Sequence, residues 1–514
     1  MRLTVTVRKH GVFGRILLIL LLTPCLSAFA AGEIAAQQAD HQTVIAAEQR
    51  VATPASKRPG PIPRARWSED WSTVGNPAPL VDDGEVDSGE FWRPLKHIAL
   101  DESGDSYLSL GGEARFAYEV YDDKDMGISD IGDQDAQQLR LALHADLHLN
   151  KRWRVFGQIG YGAILDNREG GEKTADETDP DIWELFVDYR VPVSDGERVV
   201  VRLGRQLIET GALFINAGEG NNVRQSYDGL RVGWLDGNFV KAAAFAAEYV
   251  DFDDDSFSMS GTGEYFWGLR SGARLAQPEL DIHFLYTGWD LKDRQFEQGG
   301  AARHDELRHT LLLWFDRPLN QERQLGLNYY LAYQFGEYED QPGDSDISAF
   351  AGFGEAKYAF YSKPNTPILG FKAAYFSGDD DPSDDELNTF YDPVFATPFF
   401  GYGRDLQPHN LIFLQPNVGY RFGKQDLVLT LSHGFFWRAD TDDALYGSPN
   451  GVTARAGESD SSALGQQTQL AVRYLANPNL LITSYLARFF ADDMLEDAGG
   501  EDRDYFHLGV HYLF

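Results

Sequence analysis

The chain has 514 residues and a formal net charge of −34, with 45 Lys and Arg against 79 Asp and Glu. So acidic a balance excludes nucleic acid as a partner, and the lone cysteine, Cys25, excludes internal disulfides and cysteine clusters. Beyond the N-terminus no stretch of about 18 apolar residues occurs, which excludes a helical membrane protein but not a membrane barrel, whose inward and outward residues alternate and average out.

Residues 1–30 read as a secretory signal peptide. Arg2, Arg8, Lys9 and Arg15 flank an apolar run from Ile16 to Leu22, and Ala28-Phe29-Ala30 offers a cleavage site. The run is too short for a lasting anchor, and Pro24 before Cys25 makes a poor lipidation box. Residues 31–64, Ala- and Gln-rich and ending in a proline-rich stretch around Lys57-Arg58-Pro59-Gly60-Pro61, predict a flexible periplasmic tail. Residues 65–106 show no period-2 pattern and are expected to form a pre-barrel periplasmic segment packed near a barrel mouth.

From Tyr107 onward the chain is a series of alternating segments. The clearest places Leu139, Leu141, Leu143, Ala145, Leu147 and Leu149 on one face, with Arg140, Ala142, His144, Asp146 and His148 on the other. A helix would scatter these residues around its circumference, and a strand sorts them. Similar segments fall near 107–121, 137–149, 153–165, 181–192, 198–209, 226–236, 239–252, 265–276, 280–292, 306–318, 325–338, 347–361, 366–377, 411–422, 425–439, 468–477, 479–491 and 504–514. Tight turns, such as Asn150-Lys151-Arg152 and Asn477-Pro478, alternate with long polar loops. The pattern predicts an all-β fold over 107–514: an 18-stranded antiparallel transmembrane β-barrel of the outer membrane, with short periplasmic turns, long extracellular loops and both termini periplasmic. The last strand, with Phe506, Leu508, Val510, Tyr512 and Phe514 on one face, should meet lipid and present its terminal Phe514 to the barrel-assembly machinery.

A barrel of this size is too wide for its side chains to fill, so it should enclose water. The face opposite the apolar one carries Arg115, Arg140, Arg202, Arg231, Arg270, Arg274, Arg308, Lys357, Lys372, Arg421, Arg438, Arg473 and Arg488. Against these stand Glu113, Glu119, Asp146, Glu184, Asp188, Asp281 and Glu355, so the wall reads as net basic. The missing negative charge lies in loops: Asp251 to Asp255, Asp379 to Glu386, Asp440 to Asp443 and Asp492 to Asp504. A cationic constriction attracts anions and holds carboxylates through bidentate guanidinium contacts, so an anionic solute is the expected cargo.

Arg202-Leu203-Gly204-Arg205-Gln206, continuing through Glu219-Gly220-Asn221-Asn222-Val223-Arg224-Gln225-Ser226-Tyr227-Asp228-Gly229-Leu230-Arg231, resembles the alginate-export family of outer-membrane porins. So do Arg66-Trp67-Ser68-Glu69-Asp70-Trp71, Tyr107-Leu108-Ser109-Leu110-Gly111-Gly112-Glu113, Phe435-Phe436-Trp437-Arg438-Ala439-Asp440 and the closing strand. The resemblance implies an eighteen-stranded barrel whose arginine-lined constriction passes polyuronate and is partly occluded by loops. By motif match it points to Arg202, Arg205, Arg224, Asp228 and Arg231. Alternation alone turns Arg205 toward lipid unless a bulge intervenes. The pre-barrel and loop motifs look more like the broad branch of the family than the dedicated alginate exporter, which leaves polymer export and uptake of a small organic anion both open.

Two rival readings are an outer-membrane hydrolase, for which His144, Asp146 and His148 share a row, and a non-conducting structural or adhesin barrel. Alternate residues on a strand stand about 7 Å apart, too far for a triad without a neighbouring strand. No Gly-rich phosphate loop, zinc-ligand helix or nucleophile elbow stands out, so no enzyme and no cofactor are expected. Calcium at the acidic loops, lipopolysaccharide around the rim and periplasmic secretion partners are further expectations.

Overall fold

The computed structural model describes residues 66–69 and 91–514, apart from 123, 129–131, 166–176, 195, 210–212, 216–220, 238, 253–260, 277–278, 320–323, 340–343, 361–364, 423–426, 448–450 and 478. The expected signal peptide and tail, residues 70–90 of the pre-barrel segment and Asp253 to Asp255 lie outside the described residues. No helix among the described residues is long and apolar enough to cross a membrane.

Eighteen long strands form one closed antiparallel sheet: β1 Tyr107–Tyr121, β2 Gln134–His148, β3 Trp153–Ile164, β4 Thr178–Ser194, β5 Glu197–Gln206, β6 Ser226–Asp236, β7 Phe239–Val250, β8 Gly261–Leu275, β9 Leu280–Arg294, β10 His304–Arg317, β11 Leu325–Tyr338, β12 Ser345–Ala359, β13 Thr366–Phe376, β14 Leu411–Phe422, β15 Leu427–Arg438, β16 Ala463–Asn477, β17 Leu480–Ala491 and β18 Arg503–Leu513. Each expected segment has its strand. Each strand pairs with its sequence neighbour, and β1 closes on β18 from Glu113↔Leu513 to Tyr121↔Tyr505, so the sheet keeps no edge. Connections at one end are short, such as 149–152 and 276–279; at the other they are long, the longest being 377–410 and 439–462.

Alternation decides what each face meets. Leu141, Leu143, Ile159, Leu185, Leu203, Leu269, Val418, Leu431 and Leu486 stand exposed on the outside, where hydrocarbon rather than water would satisfy them. Arg140, His144, Asp146, Arg154, Asp188, Arg202 and Arg308 are buried on the inside. One cation departs from the expected facing. Arg488 shares its side of β17 with exposed Leu486 and Phe490, and it pairs outward with Asp502 at 3.2 Å and Asp504 at 3.0 Å near the long-loop end.

The interior is not the uniformly polar wall that alternation suggests. Across β9 to β13 the inward row His283, Trp314, Tyr330, Phe353 and Phe376 stacks strand to strand, with centroids 4.3, 5.6, 4.7 and 5.3 Å apart. The connection 377–410 folds back over this row: Phe390, Phe395, Phe399 and Phe400 join it in one apolar cluster. Glu386–Leu387 runs parallel to Asp346–Ile347, and Arg308 and Gln334 donate to the backbone oxygens of Thr389 and Tyr391. Side chains alone do not fill so wide a lumen; an inward loop does.

Replacing Leu143, 64% exposed on the outer wall, with Arg should cost about 2–4 kcal/mol of folding free energy in a bilayer. Urea titration of refolding into vesicles reads this, and an unchanged midpoint would place the residue away from lipid.

Candidate functional site

Two connections from the long-loop end turn into the barrel, where they meet each other and the inner wall. Residues 207–225 leave β5, and 377–410 leave β13. Ala396 N donates to Leu213 O at 3.0 Å and Ile215 N to Asp392 Oδ2 at 3.4 Å, so the two segments touch each other as well as the wall.

The first anchor is a charged node on β1, β2 and β18. Glu113, buried, takes Arg140 at 3.1 Å, Arg224 at 3.0 Å and His511 at 3.2 Å. Arg115 and Arg140 also donate to Asn221 O, at 3.2 and 3.3 Å, while Arg404, from the other connection, donates to Asn221 Oδ1 at 3.0 Å. Asn222 Nδ2 reaches Leu139 O at 3.0 Å. Guanidinium groups from two strands and a loop therefore converge on the two oxygens of one asparagine, a geometry in which Asn221 occupies the place a carboxylate would take.

The second is an ion ladder over β2 to β5, nearer the short turns. Arg154 grips Asp146 with bonds of 2.6 and 2.7 Å and lies 3.6 Å from Asp188; Arg202 grips Asp188 at 2.7 and 3.0 Å. The Arg202 guanidinium lies 3.6 Å from the ring of Phe186 and 4.1 Å from that of Trp67, two rings that meet edge to face. Arg231 stands opposite Arg202 in register on β6.

The remaining candidate residues divide by what their donors already hold. Arg438 is 1% exposed, and its guanidinium donates to the backbone oxygens of Asp443, Ser459 and Ser461, so it ties down the 439–462 connection rather than facing solute. Arg308 is equally covered, held by Glu306, Gln334 and Thr389 O. Lys372 donates to Phe399 O at 2.9 Å and underpins the 377–410 connection. Arg205 follows exposed Leu203 by two residues, yet only 7% of it is exposed. Gly204 lies at φ +125, Trp183 is bulged out of β4, and the guanidinium closes on Asp228 with two 2.9 Å bonds and on Ile182 O at 3.2 Å. A Cβ at Gly204 would sit 2.3 Å from Leu185 O, so only glycine permits the bend. Arg115, Arg231, Arg270 and Arg473 line the inner wall and are only partly buried; Arg270 lies over Trp314 at 5.1 Å.

The row proposed for hydrolysis is engaged otherwise. His148 is 3.2 Å from Asp146 but stacked on Tyr107, His144 is stacked on Phe156, and Asp146 belongs to the Arg154 ladder. Among the described residues no three His, Cys, Asp or Glu side chains are grouped to hold a metal ion.

Asn221, Arg404 and Trp67 carry no strand periodicity, so alternation could not place them; the loop and pre-barrel motifs held Asn221 and Trp67, and no motif marked Arg404. The acidic loops are partly interior. Asp443 accepts from Tyr446 Oη, Thr389 Oγ1 and Asp379 N, joining the two longest connections. Burial pushes the Asp443 carboxyl up to about 6 and Asp392 up to about 7, and burial beside Asp443 pushes Asp379 up to about 8.

The family model described as alginate export matches residues 106–508. No curated protein matches the chain. Solved structures that resemble it include OccAB1 of Acinetobacter baumannii, 13% identical over 82% of this chain and 98% of that one, with a TM-score of 0.49. OccK2 (OpdF) of Pseudomonas aeruginosa, solved in complex with glucuronate, is 14% identical over 82% and 99%, TM-score 0.47. A BenF-like porin from Pseudomonas fluorescens Pf-5 is 13% identical over 79% and 98%, TM-score 0.48.

Glu113→Gln should destabilise the barrel by about 3–5 kcal/mol, because it strips a buried carboxylate from two guanidinium groups; a smaller loss in urea titration would mean the node is hydrated. The loop carboxyls predict pH dependence. Their raised pKa values mean the closed arrangement favours the protonated form, so closure is strongest in acid and weakens as pH climbs from about 4 through the folded values, by up to about 1.4 kcal/mol per unit and group. Open probability in planar bilayers should therefore rise between about pH 4 and pH 8, less steeply in Asp392→Asn because Asp379 and Asp443 still titrate; a flat parent profile would contradict this.

Proposed function

Since the chain belongs to the alginate-export family, matched over residues 106–508, we propose that it is an outer-membrane channel through which anionic solutes pass passively, carboxylate-bearing sugars up to polyuronates among them. The observation that carries this reading is the convergence of Arg115 and Arg404, both partly open, on Asn221 inside the barrel, beside the buried Arg140. Cations that can exchange a backbone or amide oxygen for a carboxylate hold a solute through several weak contacts and let it go again. Arg231 and Arg270, inward and partly open, extend the path toward the short turns. Acid concentrated in the long connections and base on the wall give an incoming anion a field that favours the interior.

In the same reading the short turns and both termini face the periplasm, the terminal strand ending in Phe514 is the assembly signal, and lipopolysaccharide borders the acidic rim. Whether polymer leaves or a small acid enters is a matter of which solute the constriction fits, and competition between uronate oligomers and simple carboxylates as blockers distinguishes them.

The test is reversal potential across a salt gradient. Each charge reversal changes the interaction with a nearby anion by about 1 kcal/mol in a hydrated lumen, so Arg231→Glu with Arg270→Glu should lower the anion-to-cation permeability ratio about thirtyfold. Unchanged selectivity would remove both residues from the path, and a purified protein that never conducts would sink the channel reading.

A further inference from the structure

The short-turn end of the barrel is occupied by a piece of the chain that precedes it. Residues 66–69 form a single tight turn inside the wall. Arg66 is 1% exposed and donates to the backbone oxygens of Gly112, on β1, and Phe514, the last residue, so it bridges the seam where the sheet closes. It also pairs with Glu69, which lies 3.5 Å from Lys96, itself 2% exposed. The Lys96 turn is anchored in its own right: Trp92 stacks on Phe514 with centroids 4.3 Å apart and donates to Tyr512 Oη at 2.7 Å.

The wall is shaped to receive these groups. A Cβ at Gly111 would lie 2.5 Å from Lys96 Nζ and 2.6 Å from Phe514 O, and one at Gly112 would lie 2.6 Å from the Phe514 ring. Gly111 is a notch on the inner face of the first strand, filled by Lys96 and the Phe514 carbonyl, and Gly112 makes room on the outer face for the Phe514 ring. Farther round the wall Trp67 lies over Arg202, and its backbone oxygen accepts from Arg154.

We infer that residues 66–69, held in place by Lys96, are a strap that closes the short-turn mouth over Arg202, while Trp92 fastens the preceding chain to the outer face of the last strand, and that solute reaches the lower arginine ladder only when the strap lifts. This rests on the channel reading. Arg66 and Glu69 neutralise each other in the seat and Lys96 leaves one positive charge beside them, and lifting the strap breaks the Arg66 bonds to the seam and the Arg154 bond to Trp67 O as well as one cation–π contact before Arg202 meets a passing anion. The strap thus couples residues 66–69 and the Lys96 turn to the selectivity of the barrel.

Two measurements on the full-length folded protein test it. Trypsin should spare the Arg66–Trp67 bond in the parent and cut it in Trp67→Ala, and also in Gly111→Ala, which leaves Trp67 intact but fills the notch. In planar bilayers both variants should raise the open fraction about tenfold, equivalent to about 1.4 kcal/mol. Rapid cleavage of the parent overturns the seating, whether or not a variant folds. Faster cleavage with currents equal to the parent's overturns the gate while the channel reading stands; no current from any folded version removes the channel reading, and the gate with it.

Discussion

A peptide group inside hydrocarbon finds no water, and each N–H or C=O left unpaired there costs several kcal/mol. For this chain the consequence is the pairing of β1 with β18: without Glu113↔Leu513 through Tyr121↔Tyr505 the sheet would expose two edges to lipid. Everything else is arranged around that closure. The seam is also where Arg66, Trp92 and the Phe514 carbonyl meet, so the most constrained backbone in the barrel is where the pre-barrel segment is attached.

Closure produces a lumen, and a wide lumen creates a second constraint. Inward side chains on opposite walls do not reach one another, so an arginine facing inward either stays in water or meets something brought to it. Both solutions occur. The 207–225 and 377–410 connections carry Asn221, Arg404, Phe399 and Phe400 to the wall, turning aromatic inward positions into a packed core and arginine inward positions into loop anchors. A guanidinium offers five donors in a rigid fork, more than one carboxylate can use. That surplus lets Arg140 hold Glu113 and a backbone oxygen of Asn221 together.

The strands were legible in the sequence because period-2 alternation is local and strict: Leu139 to Leu149 sorts itself with no knowledge of its neighbours. The interior was less so. Alternation states that Arg438 points inward, which it does, but not that Ser459 and Ser461 come back to cover it. It misassigned Arg488, because on β17 the apolar face must be read from Leu486 and Phe490 rather than from the arginine. For Arg205 it pointed to lipid unless a bulge intervened, and the residue is buried where a positive φ at Gly204 and a bulge at Trp183 break the period. Loop contacts such as Arg404 to Asn221 join residues 183 positions apart, a relation no periodicity encodes.

The same distinction separates arginines that build the channel from arginines that serve it. Arg438 and Arg308 have their donors fixed on loop backbone and carboxylate, are 1% exposed, and cannot exchange partners without unfolding a connection. Arg115 and Arg404 hold Asn221 from partly open positions, where a solute carboxylate offers the same oxygens with a full charge in place of a dipole. In the proposed channel the first group sets the shape of the passage, and the second presents its chemistry. A wall made only of the second kind would leave the loops untethered, and a wall made only of the first would be a plug.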